Sequence, residues 1–131
     1  MRFRYTILFV ENVAVTLDFY ERAFALARGF LHESGDYGEL VTGDTKLAFS
    51  SVSLMRSLGK TPGKPLPDAP VFEIAFETDD VPTAYARAIA AGAKPVQEAR
   101  EEPWGQTTSY VLDLNGYLVE ICSPVQLPGT D

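Results

Sequence analysis

A strand followed by a capped amphipathic helix occurs twice in this chain, at a constant spacing. In the first copy, residues 2–10 are rich in β-branched and aromatic side chains and predict a strand. Asn12 is a candidate helix N-cap, and the helix is expected to run to about Leu26 with Gly29 as its stop. The apolar residues at helical spacing are Val13, Leu17, Tyr20 and Phe24.

The second copy begins with the strand-like residues 71–78. Asp80 supplies an N-cap, Pro82 lies in the first helical turn, and Gly92 is the predicted stop. An offset of 68 positions relates the two copies and pairs Asn12 with Asp80, Tyr5 with Glu73, Val13 with Val81, and Leu17 with Tyr85. The offset favours two copies of one design, although chance also gives many α+β chains two strand–helix pairs.

Three short strand-like segments follow each helix. They are residues 29–32, 38–42 and 46–51 in the first copy, and 94–98, 107–112 and 117–122 in the second. Asn115 and Gly116 predict a two-residue hairpin turn with positive φ, and the proline-rich residues 55–68 are expected to form a connector. The order predicts one α+β domain over residues 1–131, with one βαβββ module at about 1–54, a linker at about 55–69 and a second module at about 70–125.

Charge and hydropathy limit the partners that the chain can have. It carries 18 acidic and 11 basic residues, a formal net charge of −7, which disfavours nucleic acid and suits a cationic or neutral small molecule. No stretch approaches the roughly 20 apolar residues that cross a bilayer, so a cytoplasmic location without a membrane partner is expected. The single Cys122 cannot form an internal disulfide and is expected to be an inert, half-buried thiol.

Three stretches resemble the vicinal-oxygen-chelate superfamily, which includes glyoxalase I, bleomycin-resistance proteins and extradiol dioxygenases. They are residues 5–20 (YTILFVENVAVTLDFY), 72–81 (FEIAFETDDV) and 103–124 (PWGQTTSYVLDLNGYLVEICSP). The resemblance implies two βαβββ modules whose mixed sheets curl around a cleft that holds a metal or a ligand. It also implies a homodimer.

Metal enzymes of that superfamily place four ligands in the cleft. The motif match carries these positions onto Tyr5, Ala48, Glu73 and Glu120, and a slip of one residue would replace Ala48 with Leu47. Only Glu120 keeps the ligand type usual at its position. An apolar side chain cannot coordinate a cation, so neither a complete catalytic metal site nor another cofactor is expected. Glu73 and Glu120 leave open a weak oxygen site for a divalent metal.

Glu73 and Glu120 form the most informative pair of candidate site residues. Strand alternation places each of them opposite to its apolar neighbours, and in the superfamily's topology the two strands lie side by side. Two adjacent carboxylates would share a proton or bind a cationic ligand. The alternative is that one or both are solvated at the rim of the cleft.

Three other side chains have both a functional and a structural interpretation. Tyr5 could donate a hydrogen bond to a ligand, although packing is commoner for a strand tyrosine. Trp104 follows Pro103 in a loop, where it could stack on a planar ligand in the cleft or cover the core. His32 could act as a base but has no recognisable partner, which favours a structural role.

Two functions are consistent with these residues. The first is a small-molecule-binding protein without a complete catalytic metal site, whose ligand is an aromatic or cationic compound. The second is a metal-dependent lyase of the lactoylglutathione-lyase type, an isomerase or a dioxygenase with a non-standard site. Fold analogy does not decide between them, so whether the chain is an enzyme stays open here.

Overall fold

The computed structural model of this protein describes residues 1–125. The chain divides into two compact units, an N-terminal unit, Met1–Lys64, and a C-terminal unit that begins at Pro65. Residues 126–131, which the predicted domain includes, lie outside the described residues. Within residues 1–125, no helix has the length and apolar character needed to span a membrane.

The N-terminal unit contains one four-stranded mixed sheet. The strands stand in the order β1-β4-β3-β2, with β1 parallel to β4 and the other pairs antiparallel. Helix α1 packs on one side of this sheet. The elements are β1 (Tyr5–Val10), α1 (Val13–Phe24), β2 (Ala27–Leu31), β3 (Tyr37–Val41), β4 (Lys46–Ser51) and α2 (Val52–Ser57).

The C-terminal unit repeats this topology. Its strands stand in the order β5-β8-β7-β6, and β5 is parallel to β8. The elements are β5 (Ile74–Glu77), α3 (Val81–Ala90), β6 (Lys94–Glu101), β7 (Thr107–Leu112) and β8 (Leu118–Cys122). The predicted α+β fold with two βαβββ modules and mixed sheets is therefore confirmed.

Both long helices begin at the predicted caps. The Asn12 side-chain oxygen accepts a hydrogen bond from the Val15 backbone N–H at 3.0 Å, and an Asp80 carboxylate oxygen accepts one from the Thr83 N–H at 3.2 Å. Each bond satisfies a backbone donor that the first helical turn leaves without a partner. Gly92, with φ of 110°, follows the end of α3 as predicted.

The end of α1 differs from the prediction. Ala25 terminates the helix in the left-handed conformation with φ of 58°, four residues before the expected stop at Gly29. Gly29 lies within β2, where the pairing with β3 shifts between Arg28 and Phe30. This glycine therefore belongs to a strand irregularity rather than to a helix end.

A short helix, α2, replaces the start of the predicted connector. Ser51 is its N-cap, because its Oγ accepts a hydrogen bond from the Leu54 N–H at 3.0 Å. The same Oγ donates to the Asp36 carboxylate at 2.7 Å. A helix of this length has almost no periodicity to detect, so the sequence pattern missed it.

The hairpin turn before β8 also differs from the prediction. It spans Asp113 to Tyr117, and only Gly116 within it has positive φ, at 97°. The Asp113 carboxylate accepts hydrogen bonds from the N–H groups of Asn115 and Tyr117 at 2.8 and 2.9 Å. The predicted two-residue turn would have required positive φ at Asn115 as well, so that prediction was wrong.

The bounds of several strands also differ from the predicted ones. Residues 2–4 lie outside β1, and residues 71–73 lie outside β5. Strand β6 continues to Glu101, three residues beyond its predicted end. Glu73 therefore lies one residue before β5 instead of within it.

One face of each sheet packs against the long helix of its unit. We call the opposite face the far face. In the N-terminal sheet the register places on the far face Tyr5, Ile7, Phe30, Tyr37, Glu39 and Ala48. In the C-terminal sheet it places there Ala75, Tyr110 and Glu120, while Val119 and Ile121 point to the other side and are 0% and 2% exposed. Strand alternation produces this division.

Gly38 lies on β3 in close contact with side chains of α1. A Cβ at this position would lie 2.6 Å from Cδ1 of Leu17 and 3.2 Å from the backbone oxygen of Phe30, and Leu17 is fully buried. Gly38→Ala is therefore expected to lower the free energy of unfolding by about 1–3 kcal/mol through overpacking. Chemical denaturation measures this loss. Gly63→Ala is the matched control, because its added Cβ meets nothing within 4 Å; equal midpoints for the two variants would contradict the prediction.

Candidate functional site

The parallel pairing of β5 and β8 brings two acidic residues to the same face. Ala75 lies opposite Glu120 in this pairing, and Glu73 comes two residues before Ala75, just outside β5. The charge of Glu120 acts on Glu73, so the two side chains lie near each other. Glu73 is exposed and Glu120 is half-buried. The structure thus brings together the two carboxylates that the sequence singled out.

Tyr110 is the third member of this site. It lies directly opposite Glu120 in the β7–β8 pairing, and its hydroxyl donates a hydrogen bond to Oε2 of Glu120 at 3.0 Å. Burial, the hydrogen bond and the negative charge of Glu120 all raise the pKa of Tyr110. The phenol therefore keeps its proton and holds the Glu120 carboxylate in place.

The ionisation of Glu73 depends on its two neighbours. Partial burial raises its pKa most, and the negative charge of Glu120 raises it further. The nearby Tyr110 hydroxyl works in the opposite direction and lowers this pKa. Two carboxylates this close share a proton more readily than two separated ones.

In the described part of the chain, neither carboxylate forms an ion pair with a basic side chain. Among residues 1–125, the ion pairs join Arg22 to Asp18, Arg28 to Glu21 and Arg100 to Glu102, and none includes Glu73 or Glu120. We call Glu73, Tyr110 and Glu120 the acidic cluster. It presents unpaired negative charge together with one fixed phenol.

Cys122 follows the acidic cluster on β8 but offers little reactivity. It is buried, at 7% exposure, whereas the sequence suggested a half-buried thiol. Burial raises the pKa of the thiol, and the charges of Glu120 and Glu77 raise it further. The thiol therefore stays protonated, which agrees with the expected inert character.

The register also shows which residue in the N-terminal unit matches Glu120. Ile7 pairs with Ala48 in β1–β4, just as Ala75 pairs with Glu120 in β5–β8. The offset of 68 positions carries Ile7 onto Ala75. Ala48, rather than Leu47, therefore matches Glu120.

These residues do not fit the metal site that the superfamily implies. Ala48 is fully buried and has no atom that can coordinate a cation. Within the described part of the chain, no group of three or more His, Cys, Asp or Glu side chains is placed to hold a metal ion. Of the four positions that hold the metal in the superfamily, the second one, Ala48, supplies no donor atom.

The two aromatic candidates, Trp104 and Tyr5, belong to different units. Trp104 is 61% exposed in the β6–β7 turn, and its indole N–H donates to the Gln106 side chain at 2.8 Å. This exposure argues against a lid over the core. Tyr5, in the N-terminal unit, is 40% exposed, and the Arg4 guanidinium lies 5.6 Å from the centre of its ring.

His32 has a local structural role. Its Nδ1 lies 2.8 Å from the hydroxyl of Ser34 and accepts a hydrogen bond from the Ser34 backbone N–H at 3.0 Å. These contacts hold the turn between β2 and β3. They favour the structural interpretation of this histidine over a catalytic one.

Sequence reasoning missed Tyr110, and it also missed a related pair, Tyr37 and Glu39. The Tyr37 hydroxyl donates to Oε2 of Glu39 at 2.7 Å on the far face of the N-terminal sheet. The alternation of Tyr37, Gly38, Glu39 and Leu40 carried a signal, because it put polar and apolar side chains on opposite faces.

Glu73→Gln should change how stability depends on pH. Because the folded-state pKa of Glu73 is raised, folding favours its protonated form, and its contribution to stability is lost as pH rises from about 4.3 through the folded-state pKa. The melting temperature of the variant should therefore rise relative to that of the unmodified protein across this interval. Above the interval the difference between the two should stay constant. Glu98→Gln, an exposed carboxylate on β6, is the control. A difference independent of pH would contradict the assignment.

Comparison with known proteins identifies the family. The profile of the Glyoxalase/Bleomycin resistance protein/Dioxygenase superfamily matches residues 2–121. A glyoxalase-related enzyme from Fulvimarina pelagi has a TM-score of 0.80 and 21% identity, with 99% of this chain and 96% of that chain covered.

Two further solved structures have similar folds. A glyoxalase/bleomycin resistance protein/dioxygenase family enzyme from Burkholderia phytofirmans PsJN has a TM-score of 0.76 and 20% identity, over 94% of this chain and 98% of that one. TioX from Micromonospora sp. ML1 has a TM-score of 0.71 and 20% identity, with the same coverages of 94% and 98%. A search of curated proteins gave no match. The profile match over nearly the whole chain shows that it belongs to the Glyoxalase/Bleomycin resistance protein/Dioxygenase superfamily.

Proposed function

We propose that this chain is a small-molecule-binding protein whose C-terminal unit binds an organic cation at the acidic cluster, without a catalytic metal. One observation carries the proposal: Glu73 and Glu120 lie near each other, and no basic side chain among residues 1–125 pairs with either of them. A ligand cation would supply the missing positive charge.

The cluster has the physical properties that such a ligand requires. Hydrogen bonds from an ammonium group to a carboxylate are shorter and stronger than bonds between neutral groups. A cation would also relieve the repulsion between the two carboxylates. Tyr110 holds Glu120 at a fixed place, so part of the ordering cost of binding is met before the ligand arrives.

The overall charge supports the same ligand class. With a formal net charge of −7, the chain attracts cations over a distance and repels phosphate-bearing molecules. This attraction weakens with ionic strength, whereas the contact with the cluster is screened less. The choice of an organic cation therefore agrees with both the local and the global electrostatics.

Glu120→Gln tests the ligand class. 2-Phenylethylamine, a cation at neutral pH, is expected to bind the unmodified protein more tightly than the neutral and nearly isosteric 2-phenylethanol. The variant should lose at least about tenfold in affinity for the amine, since about 1.4 kcal/mol is lost when a charged partner becomes neutral. Isothermal titration calorimetry measures both compounds. Glu98→Gln should bind like the unmodified protein, and equal affinity for amine and alcohol would refute the proposal.

The metal-dependent alternative makes a different prediction. A lyase, isomerase or dioxygenase of this superfamily would need a metal ion held by Glu73, Glu120 and a further oxygen donor such as Tyr5, because Ala48 supplies none. Elemental analysis of protein purified without added metal is expected to find less than stoichiometric zinc, nickel, manganese and iron. Stoichiometric metal that disappears in Glu120→Gln would overturn the metal-independent function and favour the enzyme.

A further inference from the structure

The turn before β8 contains the pair Asn115 and Gly116, which the acidic cluster does not use. The backbone nitrogen that follows an asparagine can close a five-membered ring on the asparagine's own side-chain amide. A glycine in the following position favours this reaction, because it has no Cβ to obstruct the nitrogen. The only other asparagine of the chain, Asn12, is followed by the β-branched Val13. The sequence therefore offers this reaction one favourable pair.

The chemistry at this pair needs water as its only co-reactant. The Gly116 nitrogen loses its proton and attacks the side-chain carbonyl carbon of Asn115. A carbon–nitrogen bond forms to Gly116, the bond to the side-chain nitrogen breaks, and that nitrogen leaves with a proton as ammonia. Water then adds to either carbonyl of the cyclic imide and opens the ring. The product at position 115 is aspartate or isoaspartate, and no group is oxidised or reduced.

The native turn holds the attacking nitrogen away from this reaction. The Gly116 N–H donates a hydrogen bond to the backbone oxygen of Asp113 at 3.1 Å. The Asp113 carboxylate accepts hydrogen bonds from the N–H groups of Asn115 and Tyr117 at 2.8 and 2.9 Å, and Asp113 is 2% exposed. Three successive backbone donors thus end on one buried residue. Attack by Gly116 requires its own bond to break and the peptide group before it to rotate.

Two prolines of the same unit pack against this turn. A Cβ at Gly116 would lie 3.3 Å from Cγ of Pro67 and 3.6 Å from Cγ of Pro65. Both prolines belong to the C-terminal unit. Because their rings occupy the space beside Gly116, they restrict the backbone rotation that ring closure needs.

We propose that Asn115 is a latent self-modification site, which the native turn keeps closed through Asp113 and which opening of the C-terminal unit exposes to reaction with Gly116. This inference goes beyond the function proposed for the acidic cluster and needs no ligand. The extent of reaction follows the time that the turn spends open. Because the ammonia is lost, refolding does not restore the asparagine.

The modification has a structural consequence for the strand that follows. Isoaspartate carries the main chain through its side chain and so adds one backbone carbon to the turn. This turn joins β7 to β8 next to the pairing of Leu112 with Leu118. A chain that has been open therefore returns with an altered connection to β8, and the change records its past unfolding.

Peptide mapping of the full chain by mass spectrometry tests this inference. Trypsin releases Asn115 within residues 101–131 and Asn12 within residues 5–22, so each asparagine is followed separately. At mildly alkaline pH, Asn115 is expected to react at least about tenfold faster in guanidinium chloride than in the native chain. In the same denaturant Asn12 should react more slowly than Asn115. Equal rates at Asn115 in the two buffers, or equal rates at the two asparagines in denaturant, would overturn the inference.

Asp113→Ala tests the role of Asp113 in the native chain. The variant lacks the carboxylate that accepts two backbone N–H groups, so Asn115 should react at least about tenfold faster than in the unmodified native chain. Asp79→Ala, which removes an exposed carboxylate from the same unit, is the matched control and should leave the rate unchanged. Equal rates for the two variants would overturn the role of Asp113. If Asp113→Ala lacks native circular dichroism, the comparison of buffers on the unmodified chain decides alone.

Discussion

The parallel pairing of the first and last strand in each unit is the constraint on which the other features depend. Parallel neighbours cannot be joined by a tight turn, so the chain must leave β1, pass through a helix and two strands, and return as β4. The same path joins β5 to β8. Once these pairs form, the residue types at Ile7 and Ala48, and at Ala75 and Glu120, decide what the centre of each far face offers.

The two units share this scaffold and differ in the chemistry placed on it. In the C-terminal unit the carboxylate is on the last strand, at Glu120, and the phenol reaches it from the adjacent strand. In the N-terminal unit Ala48 takes the last-strand position, and Glu39 bonds to Tyr37 within its own strand. A repeat therefore preserves backbone register while its side chains diverge, so the repeat predicts positions better than it predicts roles.

The sequence predicted the parts of the fold that depend on local chemistry. Asn12 and Asp80 stand at the helix starts because their side chains replace missing backbone partners. Strands β4 and β7 have their predicted bounds, and the turn formers Gly43 and Asp44 precede β4 while Gly105 precedes and Asp113 follows β7. Helix α2 was missed because fewer than two turns show no clear period, and Ala25 was missed because alanine seldom takes positive φ.

The candidate site was predicted only in part, for a related reason. Alternation and the superfamily's topology predicted that Glu73 and Glu120 lie close together. The phenol of Tyr110 required the register between β7 and β8, which a sequence pattern does not determine without its partner strand. The pairing of Tyr37 with Glu39 could have been predicted from the sequence, because residues two apart on a strand share a face.

The indole in the β6–β7 turn gives the C-terminal unit a fluorescence signal that the N-terminal unit lacks. Trp104 is the only tryptophan in the chain and belongs to the C-terminal unit, so a change in tryptophan emission during unfolding reports on that unit. Far-ultraviolet circular dichroism, in contrast, records the helices and strands of both units. If the halves lose structure at different denaturant concentrations, the two signals will separate, and the emission curve will identify which transition belongs to the C-terminal half.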